Sequence, residues 1–194
     1  LVVHPRGFRH MVDPSKLEAG VIAVYGKDFV ERMYGKLKSI EPERMISTID
    51  GIEFDLNGRR IICRDTPGHA NHHIAIFDTK EKAVFTGDVF GVAYPELVNL
   101  AGERFIFPTT TPVNFDPELM HASIDLIASL QPEKVYPTHF GELKNVSKYA
   151  QILHEMVDDF VGLALECKNA QNKVEAINIA AVKNAKIATA DRKS

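Results

Sequence analysis

The sequence predicts an α/β domain, and three observations carry that prediction. Residues 52–56 alternate apolar and polar side chains, Asn57-Gly58 follows as a tight turn, and 59–64 return as the partner strand of a half-buried hairpin. A second pair of such runs, 73–77 and 83–86, flanks the polar stretch 78–82. Farther on, Val146, Tyr149, Leu153, Met156, Phe160 and Leu163 recur at three- and four-residue spacing, one stripe of an amphipathic helix.

Taken in order, Leu1, Val2 and Val3 read as a buried strand that Pro5 stops. Residues 5–34 read as helical in two pieces. Asp13 before Pro14 is a start signal, because Asp accepts a first-turn N–H and proline's fixed φ suits the first helical position. Gly20 and Gly26 interrupt the pattern, and a second helix over about 27–34 ends at Gly35. Residues 36–40 and 45–49 are expected as short strands. Residues 89–115 form a long connection, and connections of that length without regular structure are usually functional. Asp116-Pro117 repeats the cap signal, and Leu119, Leu126, Ile127 and Leu130 give the helix that follows one apolar face. Residues 134–136 form a short strand running into Pro137-Thr138-His139-Phe140-Gly141. A last, weaker helix, rich in Ala and Lys, is expected over 174–188. The expected organisation is a domain over 1–166 and a helical extension over 167–194.

Composition excludes several classes of function. The 194 residues suit one domain, and 45% apolar with 25% charged residues is ordinary for a folded chain. No run of about 18 apolar residues occurs, so no membrane span is expected. With 23 basic against 26 acidic residues, the net charge is −3, without the basic surplus of a nucleic-acid binder. Cys63 and Cys167 are the two cysteines, so no disulfide framework is expected and a reducing, cytoplasmic compartment fits.

Three segments carry chemistry, and each lies where a strand ends: Thr66-Pro67-Gly68-His69, Thr86-Gly87-Asp88 and Thr138-His139-Phe140-Gly141. Each sets one imidazole or carboxylate beside a glycine, which lets the backbone bend or approach closely. Strand ends are rigid, so donors placed there are well positioned. Imidazole nitrogen and carboxylate oxygen suit zinc, iron or manganese, and a carboxylate can bridge two ions. Singly, each segment reads more readily as a turn or a cap. Their joint occurrence in this order is what singles them out.

In these three segments the chain resembles the metallo-β-lactamase-fold hydrolases, over roughly residues 1–145. The resemblance implies a four-layered αββα sandwich and a dinuclear centre holding two divalent metal ions, zinc first, with iron or manganese as alternatives. It implies that His69 and His139 each bind one ion and that Asp88, the catalytic carboxylate, bridges both. The family's His-x-His-x-Asp-His loop does not occur in this sequence. The chain, opening on Leu1 without an initiator Met, is therefore expected to be the C-terminal portion of the fold, truncated at its N-terminus. Alone it is expected to supply an incomplete metal site.

Other residues are weighed against plainer roles. His73, next to His72, is expected to orient a metal ligand or a bound water, or else simply to pack under the site. Thr110, within Thr109-Thr110-Thr111-Pro112, and Tyr94 in the same long connection are candidates for substrate contact; a polar connection is the alternative. Cys63, alternating with Ile62, reads as a buried thiol. His121 and His154 fall in helices and read as structural or exposed.

The expected chemistry is metal-assisted hydrolysis of a small ester, thioester, lactone or related substrate by hydroxide formed at the dinuclear centre. No Gly-x-Ser-x-Gly elbow offers a protein nucleophile instead. A di-iron oxygen or nitric oxide reductase-type protein of the same fold is the redox alternative. A non-catalytic fragment or assembly module, joined through the C-terminal helices as a homo-oligomer, is the third.

Overall fold

The computed structural model describes residues 1–99, 102–110 and 114–168. The expected helix over 174–188, with Thr111 and Pro112, lies outside them. The elements are β1 (Val2–Val3), α1 (Pro5–Val12), α2 (Ser15–Tyr25), α3 (Lys27–Tyr34), a 3-10 turn (Pro42–Arg44), β2 (Ile46–Ser47), β3 (Glu53–Asp55), β4 (Arg60–Asp65), β5 (Ile74–Asp78), β6 (Ala83–Gly87), α4 (Pro117–Ser129), β7 (Lys134–Pro137) and α5 (Val146–Glu166).

β3 to β7 form one five-stranded sheet in sequence order. β3, β4, β5 and β6 pair antiparallel, and β7 lies parallel to β6. Two antiparallel steps restore direction, so β4, β6 and β7 run the same way and their C-terminal ends emerge at one rim. β5 begins at that rim. The topology alone therefore gathers the residues after β4, β6 and β7 and the residue before β5.

One face of the sheet is covered. Ala75, Val84 and Val135 point the same way, opposite Met120, Ile124 and Ile127 of α4 and Leu153 and Val157 of α5, all essentially buried. Deleting a buried branched side chain of this kind costs about 2–5 kcal/mol, so this layer carries much of the stability. On the other face Phe85 stacks on Tyr136 with ring centres 5.1 Å apart, and Phe85 remains 48% exposed.

The N-terminal third departs from the sequence reading. The helical region is three helices rather than two, and α2 runs through Gly20. An exposed Gly costs a helix only about 1 kcal/mol against Ala, and no Cβ neighbour is near Gly20 to object. Asp13 still accepts the Ser15 N–H at 3.1 Å, although the helix begins one residue later than expected. Residues 36–40 carry no strand, and the parallel pair β1–β2 is largely exposed rather than buried. Later elements fall as expected: Asp116 caps α4, accepting the Leu119 N–H at 3.0 Å.

Candidate metal centre

His69, Asp88 and His139 meet at the rim. His69 Nε2 lies 4.0 Å from Asp88 Oδ2, and His139 Nε2 lies 3.8 Å from Asp88 Oδ1. Each imidazole thus faces a different oxygen of one carboxylate, at a separation too long for a hydrogen bond.

The backbone around them is tightly fixed. Gly68 sits at φ +125°, and a Cβ there would collide with the backbone of Leu119 and Met120. α4 presses on this loop from below: Ser123 Oγ donates to Pro67 O at 2.6 Å, and Asp116 N–H donates to Gly68 O at 2.9 Å. Gly87 sits at φ +55°, and a Cβ there would run into the imidazole of His73. Both glycines are therefore required sterically as well as conformationally.

His73 is the support beneath Asp88. Its Nε2 accepts the Asp88 N–H at 3.0 Å, and its Nδ1 lies 3.0 Å from Thr66 Oγ1. Because Nε2 accepts, the proton of the neutral ring sits on Nδ1 and is donated to Thr66, a fully buried side chain. Burial, reinforced by the nearby His69, pushes His73 down to about 4, so the neutral ring is the form this pocket holds. His72 is also lowered, first by burial and then by its neighbours His4, His10, His69 and Arg6.

Thr109 performs the same office for His69. The Thr109 hydroxyl donates to Asp88 O at 2.7 Å, leaving its lone pairs to face His69 Nδ1 at 2.9 Å. The Thr109 carbonyl lies 3.1 Å from the same nitrogen. Two acceptors at Nδ1 place the ring proton there and leave Nε2 unprotonated, turned toward Asp88. One residue, reached from the middle of the long connection, thereby sets the tautomer of His69 and ties it to the Asp88 backbone.

The hydroxyl that reaches His69 is therefore Thr109's, whereas Thr110, singled out in the sequence, is exposed beside it. Tyr94 is half-exposed and packs on Phe140, ring centres 4.7 Å apart, and Phe140 in turn lies 6.0 Å from the His139 ring. Arg104 donates to Phe140 O at 2.7 Å, holding that residue at φ +67° beside His139. Sequence reasoning overlooked the role of Thr109. A hydroxyl preceding the singled-out Thr110 was visible in the sequence, but the 40 residues separating it from His69 hid the contact.

Unprotonated nitrogen and carboxylate oxygen are the donors that zinc, iron and manganese take, so the residues present fit such ions. Among the described residues no group of three or more His, Cys, Asp or Glu side chains gathers to hold one ion unaided. The three donors are instead divided, one imidazole to each half of Asp88.

Residues 10–139 match the model of the metallo-beta-lactamase superfamily. The chain belongs to that superfamily, and its α/β architecture is that fold. It is 33% identical over 110 residues to the metallo-beta-lactamase fold-containing protein ST1585 of Sulfurisphaera tokodaii, an alignment covering 56% of this chain and 38% of that protein. The crystal structure of ST1585 from Sulfolobus tokodaii aligns with a TM-score of 0.61 at 27% identity, covering 82% of this chain and 57% of the other. The metallo-beta-lactamase family protein TTHA1429 from Thermus thermophilus shares the fold, with a TM-score of 0.56 at 21% identity over 85% of this chain and 55% of that one. The chain thus spans less than two thirds of each of these relatives. Among the described residues no helix is long and apolar enough to cross a membrane.

Proposed function

We propose that the whole protein is a metal-dependent hydrolase of small esters, thioesters, lactones or related compounds, and that this chain contributes His69, Asp88 and His139 to its dinuclear centre. The observation that carries the reading is the division of Asp88: each carboxylate oxygen faces a different imidazole nitrogen. A carboxylate so placed can serve two ions at once, with His69 on one and His139 on the other. Bound divalent ions, zinc foremost with iron or manganese as alternatives, lower the pKa of water toward neutrality and polarise the electrophile.

The chain's own residues prepare that chemistry. Thr109 keeps the proton of His69 on Nδ1, so that Nε2 presents a lone pair toward the rim. His73 holds the Asp88 backbone from beneath and, being neutral, adds no competing positive charge. Tyr94 and Phe140 form an aromatic wall beside His139, and Thr110 lies exposed at the same rim; both Tyr94 and Thr110 are proposed to meet the substrate. A cytoplasmic location and self-association through the C-terminal helices complete the proposal.

The test is made on the full gene product, stripped with chelator and reconstituted with zinc, iron or manganese. Elemental analysis should find close to two ions in the parent and a clear loss in Asp88→Ala. Hydrolysis of a panel of esters, thioesters and lactones should fall with the metal. Retention of no ion after reconstitution overturns the reading. Iron retained with oxygen consumption and no hydrolysis replaces it with the redox alternative, for which the same donor set is suited.

A further inference from the structure

Away from the rim, α4 and α5 carry the same spacing: His121 and Asp125 on one, His154 and Asp158 on the other. Residues four apart share a helix face, so each pair stands together. The two faces meet. His121 Nδ1 lies 2.6 Å from His154 Nδ1. The carboxylates are crossed, with Asp158 Oδ1 at 3.1 Å from His121 Nε2 and Asp125 Oδ1 at 3.0 Å from His154 Nε2.

The ring centres are 4.8 Å apart with 13° between the planes. A nitrogen sits on the edge of its ring, so an approach of 2.6 Å between rings so spaced requires the two edges to point at one another. This is an edge-to-edge arrangement rather than a face-to-face stack.

Proton counting then constrains the pair. An ionised carboxylate can only accept, so each Nε2 carries the hydrogen it donates to Asp158 or Asp125. Both Nδ1 lone pairs therefore face each other across the gap. Two lone pairs that close repel, and a positive charge has to separate them. A single proton shared between them would do so in the metal-free chain.

We propose that this seam is a binding site for a single divalent ion of the zinc, nickel or copper class, held by Nδ1 of His121 and Nδ1 of His154. Imidazole is a donor these ions favour. A ring whose far N–H is held by a carboxylate is the arrangement that orients histidine ligands, and here Asp158 and Asp125 do this for both rings. Among the described residues no third His, Cys, Asp or Glu joins the two, so water completes the coordination. With metal–nitrogen bonds of about 2.0–2.1 Å, the two nitrogens move apart from their present contact to admit the ion. The rings are 26% and 28% exposed, which gives the ion access from solvent. In the exchange one divalent ion enters and the shared proton leaves to solvent.

This site shares no residue with the rim, so the two can fail separately. The untagged full gene product, stripped with chelator, is titrated calorimetrically with Zn2+ and with Ni2+ in buffers of differing ionisation enthalpy. The parent is expected to bind one more equivalent than His154→Gln, to release one proton for it, and to rise in Tm where the variant does not. Asp88→Ala is expected to keep that equivalent. Nitrogen-detected imidazole spectra of the unsubstituted chain should show both Nδ1 signals moving on addition of Zn2+. Equal stoichiometry in the parent and His154→Gln, or Nδ1 signals that stay in place at saturating Zn2+, overturns the proposal, and the seam then holds its proton alone.

Discussion

The Nε2 of His73 accepts the backbone N–H of Asp88 at 3.0 Å, while its Nδ1 rests on Thr66. The candidate bridging carboxylate is therefore held through its main chain by an imidazole just ahead of the neighbouring strand β5.

Replacing His73 by Ala removes the acceptor of the Asp88 N–H and opens space under Gly87. The expected loss is about 10–100-fold in affinity for zinc, the usual effect of removing a support behind a ligand. Competition with a chromophoric chelator measures it. An unchanged affinity means that Asp88 is fixed by other contacts.

Thr109→Val removes the hydroxyl between His69 and Asp88 and keeps the carbonyl. Stability is expected to fall by about 1 kcal/mol, and zinc affinity with it, because His69 loses one of the two acceptors that fix its tautomer. Thr109→Ser, which keeps the hydroxyl, should restore both in denaturation and metal-competition measurements. Thr110→Val should leave zinc affinity unaltered.

Gly87→Ala is expected to destabilise the fold by about 1–3 kcal/mol. The new methyl group meets the His73 ring at a φ that L residues avoid. Gly58→Ala provides the control, since it has positive φ and nothing within 4 Å, and should cost less in urea denaturation.

The Arg64 guanidinium beside Asp50, at 2.8 and 3.3 Å, holds that carboxyl below its usual range, with the Asp65 N–H assisting. A carboxyl lowered in the folded state contributes stability that is present above its unfolded pKa of about 3.9 and is lost as pH falls through the folded value. The pair is half-exposed, so the contribution is under about 1 kcal/mol. Asp50→Asn should therefore lower urea stability slightly at pH 7, and the difference should close in acid.

Much of the sheet could be read from the sequence because its signals are local. Asn57-Gly58 fixes a turn by φ alone, and Asp116-Pro117 starts α4 by capping alone. What escaped depends on partners distant along the chain. Nothing in Lys36-Leu37-Lys38-Ser39-Ile40 distinguishes a short strand from an extended connection, and α2 overrides the cost of Gly20. The three motif residues were visible as types beside glycines. The reason for those glycines was not, since it lies in the backbone of Met120 and the ring of His73. Thr109 could not be separated from Thr110 because tautomer control is a matter of distance. The pairing of His121 with His154 had a signal, the His-x-x-x-Asp spacing repeated in both helices, but only packing shows that the two faces meet.

The grip of Ser123 on Pro67 and of Asp116 on Gly68 makes α4 a lever arm under the first imidazole. A slip of that helix, such as the hollow left by trimming Ile124 would allow, would pull on Pro67 and Gly68 and so on the backbone that carries His69. The placement of His69 is in this way tied to side chains buried between α4 and the sheet, away from the rim itself.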